Sequence, residues 1–168
     1  MVTKENEQIT LPDGSRYEGD LKNRQKEGKG VLTTPDGSRY EGGFKKDKKE
    51  GTGVYTWIDG ARYEGGFVNG QKEGNGVLTA PDGTRYEGNF KNDKRKGKGV
   101  YIYPDGQRYE GEFVNGQKEG RWVFTATDGR RYEEQFKIGT RLNNAHLRYL
   151  AWANATSLID DQYSFDVS

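Results

Sequence analysis

The chain has 168 residues with 27 basic and 26 acidic side chains, so its net charge of +1 provides no overall field that would draw it to nucleic acid. The absence of cysteine excludes a disulfide framework and thiolate catalysis. Residues 1–10 contain no apolar leader, and no apolar run is long enough to cross a bilayer. These features predict a soluble, intracellular, cytoplasmic protein that is at most peripheral to a membrane.

Aromatic residues carry most of the burial that this composition can offer. Only 30% of residues are hydrophobic and 32% are charged, a balance typical of a poor core or of disorder. The 11 Tyr, 7 Phe and 3 Trp recur at fixed spacing, however, which a disordered chain does not require. The composition therefore predicts a thin, extended fold in which aromatic rings supply the packing.

After an N-terminal extension over residues 1–10, one motif repeats at a fixed interval along residues 11–139. The sequence Asp-Gly-x-Arg-Tyr-Glu-Gly begins at position 13 and returns every 23 residues, at positions 36, 59, 82 and 105. A sixth copy at residues 128–134 keeps the register and replaces the final glycine with glutamate. Six copies in phase indicate a repeat architecture in which neighbouring units cover each other.

Each repeat contains two segments with strand patterning. In residues 39–44, the alternation places Tyr40, Gly42 and Phe44 on one face of a strand. Residues 45–50 are polar and predict a loop of six residues, the next strand covers residues 51–56, and an Asp-Gly turn ends the unit. The predicted fold class is all-β, an elongated single-layer antiparallel meander of six β-hairpin repeats with about 11–12 strands.

The glycines inside the strands need a cause, because glycine weakens a strand. If Phe44 pairs near Gly51 across the hairpin, then Gly42 lies opposite Gly53. Glycines in these positions would make room for aromatic rings that lie over the backbone. A loop of six residues is also compatible with a strand pairing that is shifted by one residue.

The unit Tyr-Glu-Gly-x-Phe, about six residues, Gly-x-Gly-Val and then Asp-Gly resembles the MORN (membrane occupation and recognition nexus) repeat over about residues 11–139. The resemblance implies a curved, groove-bearing single sheet that binds a partner protein or a partner helix, in some members acidic lipid, with no catalysis by the repeats. The chain departs from the family where the loop has Lys-Glu-Gly or Lys-Lys-Gly in place of the frequent His-Gly, which removes a site for pH sensing.

A second period of 46 residues pairs basic loops with aromatic strands in repeats 2 and 4. Duplication of a two-repeat unit explains it, and so does a ligand surface with spaced aromatic patches. On the second interpretation the phenylalanines are structural, and the accessible aromatics line a groove for a partner protein. The candidate partner-binding residues are Tyr40, Tyr55, Trp57, Tyr63, Tyr86, Tyr101, Tyr103 and Tyr109. The candidate contacts to acidic phospholipid are Lys45, Lys46, Lys48, Lys49, Lys91, Lys94, Arg95 and Lys96.

The repeat changes at its C-terminal end. Trp122 replaces the second glycine of Gly-x-Gly and Glu134 replaces the glycine of Glu-Gly, which suits a terminal repeat that closes the sheet. Residues 140–168 are predicted to form a short C-terminal capping helix near 144–155 and an acidic tail. The pattern leaves open whether this helix caps the array or occupies the groove.

No residue pattern indicates catalysis, a metal or a cofactor. His146 is the single histidine, and the acidic residues of the repeats occupy equivalent positions, whereas an active site requires one unusual environment. The sequence therefore predicts a non-enzymatic scaffold that binds a helical or extended segment of a partner protein and no nucleic acid. An adaptor to acidic membranes is the alternative. The patterns determine neither the partner nor the oligomeric state.

Overall fold

The computed structural model describes residues 3–142, with side-chain burial from residue 7 onward. The chain divides into two compact units, Met1–Pro81 (unit 1) and Asp82–Ser168 (unit 2). The predicted helix near 144–155 and His146 lie outside the described residues.

Unit 1 contains seven strands, each paired antiparallel with the next along the chain. They are β1 (Thr3–Thr10), β2 (Arg16–Lys22), β3 (Gln25–Thr33), β4 (Arg39–Lys45), β5 (Lys48–Thr56), β6 (Arg62–Val68) and β7 (Gln71–Thr79). Residues 3–10, which the sequence assigns to an extension before the array, thus form a strand paired with the first repeat.

Unit 2 contains six strands among its described residues, again paired in chain order. They are β8 (Arg85–Lys91), β9 (Lys94–Ile102), β10 (Arg108–Val114), β11 (Gln117–Thr125), β12 (Arg131–Lys137) and β13 (Thr140–Arg141). The prediction of an all-β antiparallel meander is confirmed within each unit, and residues 3–142 contain no helix.

The Asp-Gly turns follow from the chemistry of aspartate. In each turn the carboxylate accepts a hydrogen bond from the backbone N–H two residues later, for example from Ser38 to Asp36 at 3.0 Å. Gly37 has φ of 92°, a conformation that glycine adopts without strain. The same bond forms at Asp13, Asp36, Asp59, Asp82, Asp105 and Asp128. The prediction that these aspartates serve the turns is confirmed.

The second connection of each repeat is shorter than predicted. Between β4 and β5 only Lys46 and Asp47 form the turn, with φ of 47° and 70°, and Lys45 pairs with Lys48. Two successive residues with positive φ give the turn that matches the twist of paired strands. The predicted loop of six residues is therefore wrong, because the polar residues after the turn continue the strand through backbone hydrogen bonds.

A bulge sets the register of each hairpin. Gly42 pairs with Gly53 as predicted, but Phe44 pairs with Lys49, two residues before its predicted partner, because the register shifts between Gly42 and Phe44. Between these two pairs β4 contributes one residue, Gly43, and β5 contributes residues 50–52, so the extra residues lie in β5, where Gly51 has φ of 76°. A Cβ at Gly43 would lie 2.2 Å from the Glu50 carbonyl oxygen, so the two backbones approach closely here.

Candidate functional site

The aromatic face carries Tyr40 and its equivalents in the other repeats. The Tyr40 ring lies over Gly53, where an added Cβ would come within 2.5 Å of the ring. The Tyr40 hydroxyl donates to the Gly43 carbonyl at 3.0 Å, and the side chain is only 1% exposed. Burial, with a smaller contribution from the charge of Glu50, raises the pKa of Tyr40 to about 12. The repeated glycines thus leave the space that a buried tyrosine ring occupies.

Within each unit, rings of the next repeat pack against the tyrosines. The Tyr40 ring makes edge contacts with Phe44 of its own strand and with Phe67 of the next repeat, at centroid distances of 5.1 and 5.0 Å. Tyr17 and Tyr63 repeat the hydroxyl bond, to Asp20 O at 2.8 Å and to Gly66 O at 3.2 Å. Within each unit the tyrosine and phenylalanine rings therefore form one packed core.

A row of cations covers this core. In each of five repeats a basic side chain lies over the tyrosine nine residues earlier, at 4.6 to 5.9 Å from the ring centroid. Lys72 is 2% exposed and Arg95 is 6% exposed. The row consists of Lys26, Lys49, Lys72, Arg95 and Lys118. Sequence reasoning missed it, although the constant offset from tyrosine was a signal that could have revealed it.

The prediction that the tyrosines remain accessible is wrong for six of the eight candidate residues. Tyr40, Tyr63, Tyr86, Tyr101, Tyr103 and Tyr109 are between 0% and 8% exposed. Glycine pairs let the rings lie flat on the backbone, and phenylalanines and cations then cover them. Tyr55 and Trp57 are half-buried and lie in contact, with ring centroids 4.7 Å apart. They are the candidate aromatics that retain accessible surface.

The eight candidate lipid contacts also separate into two kinds. Lys49 lies 4.3 Å from the Tyr55 ring centroid, and Arg95 lies over the Tyr86 ring, so these two belong to the aromatic core. The other six are exposed. They flank the turn after β4 (Lys45, Lys46, Lys48) and the turn after β8 (Lys91, Lys94, Lys96).

The charged face is the opposite face of the strands, which carries Arg39 and Glu41. In unit 1 it holds a groove of about 740 Å³, whose floor includes Gly30, Val31 and Thr33. Arg39 and Glu41 stand on its rim and form a salt bridge at 2.7 Å. Arg62 and Glu64 repeat this pair at 2.7 Å in the next repeat.

Unit 2 has a groove of the same kind, of about 610 Å³. Gly99, Val100 and Val123 contribute its floor. Its rim is charged, with Glu110 paired to Arg131 at 3.4 Å. The two grooves thus share β-branched floor residues and a rim that carries both arginine and glutamate.

The chemistry available on these faces is that of binding. The carboxylates of the charged face lie next to arginines, and the described residues contain no group of three His, Cys, Asp or Glu side chains placed to hold a metal ion. Residues 3–142 also contain no helix of the length and apolarity needed to cross a bilayer. A groove with β-branched floor residues and a charged rim can accept an extended polypeptide.

Solved structures with a similar fold include a Drosophila melanogaster protein. The SAS-4 (dCPAP) TCP domain, in complex with a proline-rich motif of Ana2 (dSTIL), has a TM-score of 0.51 and 13% identity, over 79% of this chain and 72% of that chain. The TCP10 domain of Danio rerio CPAP has a TM-score of 0.37 and 15% identity, over 78% of each chain. No curated protein matches the sequence significantly.

The repeat itself identifies the family. MORN repeats match residues 17–39, 40–62, 63–85, 86–108 and 109–129, which together are more than half of the chain. All five matches contain the buried tyrosine and the register shift, and the first four contain the paired glycines. The chain belongs to the MORN repeat family.

Proposed function

We propose that the protein is a non-enzymatic scaffold that binds an extended segment of a partner protein along the charged face. The observation that carries this proposal is the groove itself, which occurs in both units with the same construction. The aromatic face is occupied by its own packing and offers little surface to a partner.

The chemistry of the groove favours an extended ligand. Val31 and Val100 supply apolar contact on this face, and the charged rim supplies polar contact along the length of a bound segment. The fold-similar TCP domain of SAS-4 is in complex with a proline-rich motif, which supports a ligand of this type. Proline-rich segments are already extended before binding and therefore lose little conformational entropy.

The test is hydrogen exchange of the intact chain with and without a partner recovered by affinity capture. Binding in the groove should protect amides of β3 to β5 or of β9 to β11. Thr33→Arg should fill the unit 1 groove and weaken a partner bound there by at least about tenfold. Thr127→Arg, an exposed turn position, is the matched control. Protection confined to the hairpin turns, with Thr33→Arg silent, would contradict the proposal.

An adaptor to acidic membranes is the second candidate, because six exposed lysines gather in two triplets. Each lysine near an anionic surface contributes about 1 kcal/mol. Replacing Lys45, Lys46 and Lys48 with Glu, while keeping the core residue Lys49, should abolish sedimentation with vesicles of anionic lipid at physiological salt. Failure of the unmodified chain to sediment with these vesicles would remove this candidate.

A further inference from the structure

Glutamate side chains connect neighbouring hairpins at equivalent places. The backbone N–H of the first turn residue of one hairpin donates to a glutamate of the preceding repeat. This clamp joins Lys46 to Glu27 at 3.0 Å, Asn69 to Glu50 at 3.0 Å and Ile138 to Glu119 at 2.6 Å. A carboxylate oxygen therefore occupies the same place, beside the turn amide, at each of these three joints.

Between β9 and the turn after β10, the backbone has the same geometry as in the clamped joints, but the clamp glutamate is replaced by another residue. Asn115 has φ of 51°, against 52° for Asn69. The Gly116 N–H donates to the Arg95 carbonyl at 3.1 Å, as Gly70 does to Lys49 at 2.9 Å. The glutamate position, however, holds Lys96, which cannot accept a hydrogen bond. Within residues 3–142 no side chain accepts from the Asn115 N–H.

The surroundings of this amide are strongly cationic. A pocket of about 540 Å³ lies between the turns after β8 and β10, and its charged lining residues are Lys91, Lys94, Arg95, Lys96 and Glu112. Because Arg95 lies over the Tyr86 ring, the exposed charges of the pocket are those of three lysines and one glutamate. In the described part of the chain, Lys91, Lys94 and Lys96 form no salt bridge. Lys94 also lies across the turn, its Cβ 3.6 Å from where a Gly116 Cβ would be.

We propose that this pocket is a binding site for a phosphate group, either inorganic phosphate or a phosphate monoester, whose oxygen accepts from the Asn115 N–H in place of the missing glutamate. A phosphate group carries more than one negative charge at neutral pH and several acceptor oxygens, so it suits the lysines and the amide better than a carboxylate does. A membrane surface would attract both exposed lysine triplets equally. Only the unit 2 triplet has a lysine, Lys96, in place of the clamp glutamate, so only that triplet lies beside an open amide. The unit 1 triplet adjoins a clamped turn.

The experiment follows backbone amides of the full chain by ¹H–¹⁵N spectroscopy during titration with inorganic phosphate or O-phosphoserine. The Asn115 and Gly116 amides should shift saturably. Lys46 and Asn69 serve as internal controls, because Glu27 and Glu50 already occupy their amides. Saturation by both probes indicates a site for phosphate itself, and saturation by phosphoserine alone indicates a site for monoesters. Acetate at equal concentration should give a weaker response.

Two substitutions taken from the chain's own repeats sharpen the test. Lys96→Glu restores the clamp residue, so it should move the Asn115 amide without ligand and weaken phosphate binding by at least about tenfold. Lys94→Gln copies Gln117 of the next repeat and should weaken binding less. Lys48→Glu makes the same charge change as Lys96→Glu beside a clamped turn, and it should leave phosphate binding unchanged.

Several results would overturn the proposal. The first is an Asn115 amide shift that grows linearly with phosphate concentration. The second is an equal loss of phosphate binding in Lys48→Glu and Lys96→Glu. Both results would indicate a diffuse attraction between charges and no defined site. A third is an Asn115 shift caused by anionic vesicles but by neither soluble probe, which would assign the lysines to a membrane surface. None of these readouts depends on a protein partner, so the phosphate site and the proposed scaffold function can fail separately.

Discussion

In the hairpin of β4 and β5, the Tyr40 hydroxyl donates to the Gly43 carbonyl at 3.0 Å. In the terminal hairpin of β10 and β11, the equivalent carbonyl of Glu112 instead accepts from the indole N–H of Trp122 at 3.2 Å. Trp122 stands at the position of Gly53, and its ring covers Gly111 within 2.3 Å of where a Cβ would be. A tryptophan from the partner strand therefore takes the place that a tyrosine holds in the interior repeat.

Tyr109, the tyrosine of this terminal hairpin, forms its hydrogen bond with a different partner. The Tyr109 hydroxyl donates to Glu134 Oε2 at 2.6 Å, and Glu134 also pairs with Arg141 of β13. Burial and then the hydrogen bond to Glu134 raise the pKa of Tyr109 well above its ordinary value. Glu134 stands where the interior repeat has glycine. The two departures from the repeat are thus one coupled change, which provides the Tyr109 hydroxyl, the Trp122 indole N–H and the Glu134 carboxylate with partners.

The largest effect is expected where the terminal hairpin loses its central ring. Trp122 is fully buried, so Trp122→Ala should lower the free energy of unfolding by about 3–5 kcal/mol. Urea denaturation of the intact chain measures this change. Trp57→Ala, at a half-buried position, is the matched control and should cost clearly less. Equal losses in the two variants would mean that Trp122 is no more important to packing than an ordinary half-buried ring.

A smaller effect is expected where the interior hairpin gains one methyl group. Gly53→Ala would place a Cβ 2.5 Å from the Tyr40 ring, which should cost about 1–3 kcal/mol of stability. The neighbouring Thr52 is exposed, and Thr52→Ala should change stability by less than about 0.5 kcal/mol. Thermal unfolding of both variants provides the comparison. A silent Gly53→Ala would show that the ring can move away from the glycine.

The coupling of the two terminal departures can be measured directly. Trp122→Gly and Glu134→Gly each leave part of the cluster without its partner, whereas the double variant restores the interior pattern. The double variant should therefore be more stable than the sum of the single losses predicts, by about 1 kcal/mol or more. Urea denaturation of the unmodified protein, the two single variants and the double variant gives the four free energies of unfolding that this comparison needs. Strict additivity would mean that the two departures are independent.

The interior repeats should also weaken at high pH. Tyr40 and Tyr17 have pKa values raised to about 12 from 10.0, mainly by burial. Between pH 10 and 12 the unfolded chain releases these hydroxyl protons while the folded chain keeps them, so the free energy of unfolding falls as pH rises through this window. Denaturation at stepped pH, with tyrosinate absorbance, measures the slope. Tyr40→Phe should reduce the slope, and an unchanged slope would exclude Tyr40 as a contributor.

Much of the site could not be predicted from single residues. Alternation correctly separated a face with Tyr40 and Phe44 from a face with Arg39 and Glu41, and it predicted the glycine pair Gly42 and Gly53. It could not decide which face is covered, because exposure depends on the rings and cations of other repeats. The expectation of accessible tyrosines was consequently wrong for six of the eight candidate residues. Lys49 was taken for a loop residue for the same reason, since its contacts come from three different strands.

The sequence by itself determined the features that depend on residues close together along the chain. The 23-residue period, the Asp-Gly turns, the strands and the family follow from residues close together in the chain, because turn chemistry and alternation are local properties. Only the tertiary structure decided the bulge in β5, the row of cations over tyrosine, the replacement of the Tyr109 hydroxyl by the Trp122 indole and the open amide beside Lys96. Each of these depends on which atoms of neighbouring strands meet, and backbone pairing across strands, rather than the order of residues along one strand, sets that outcome.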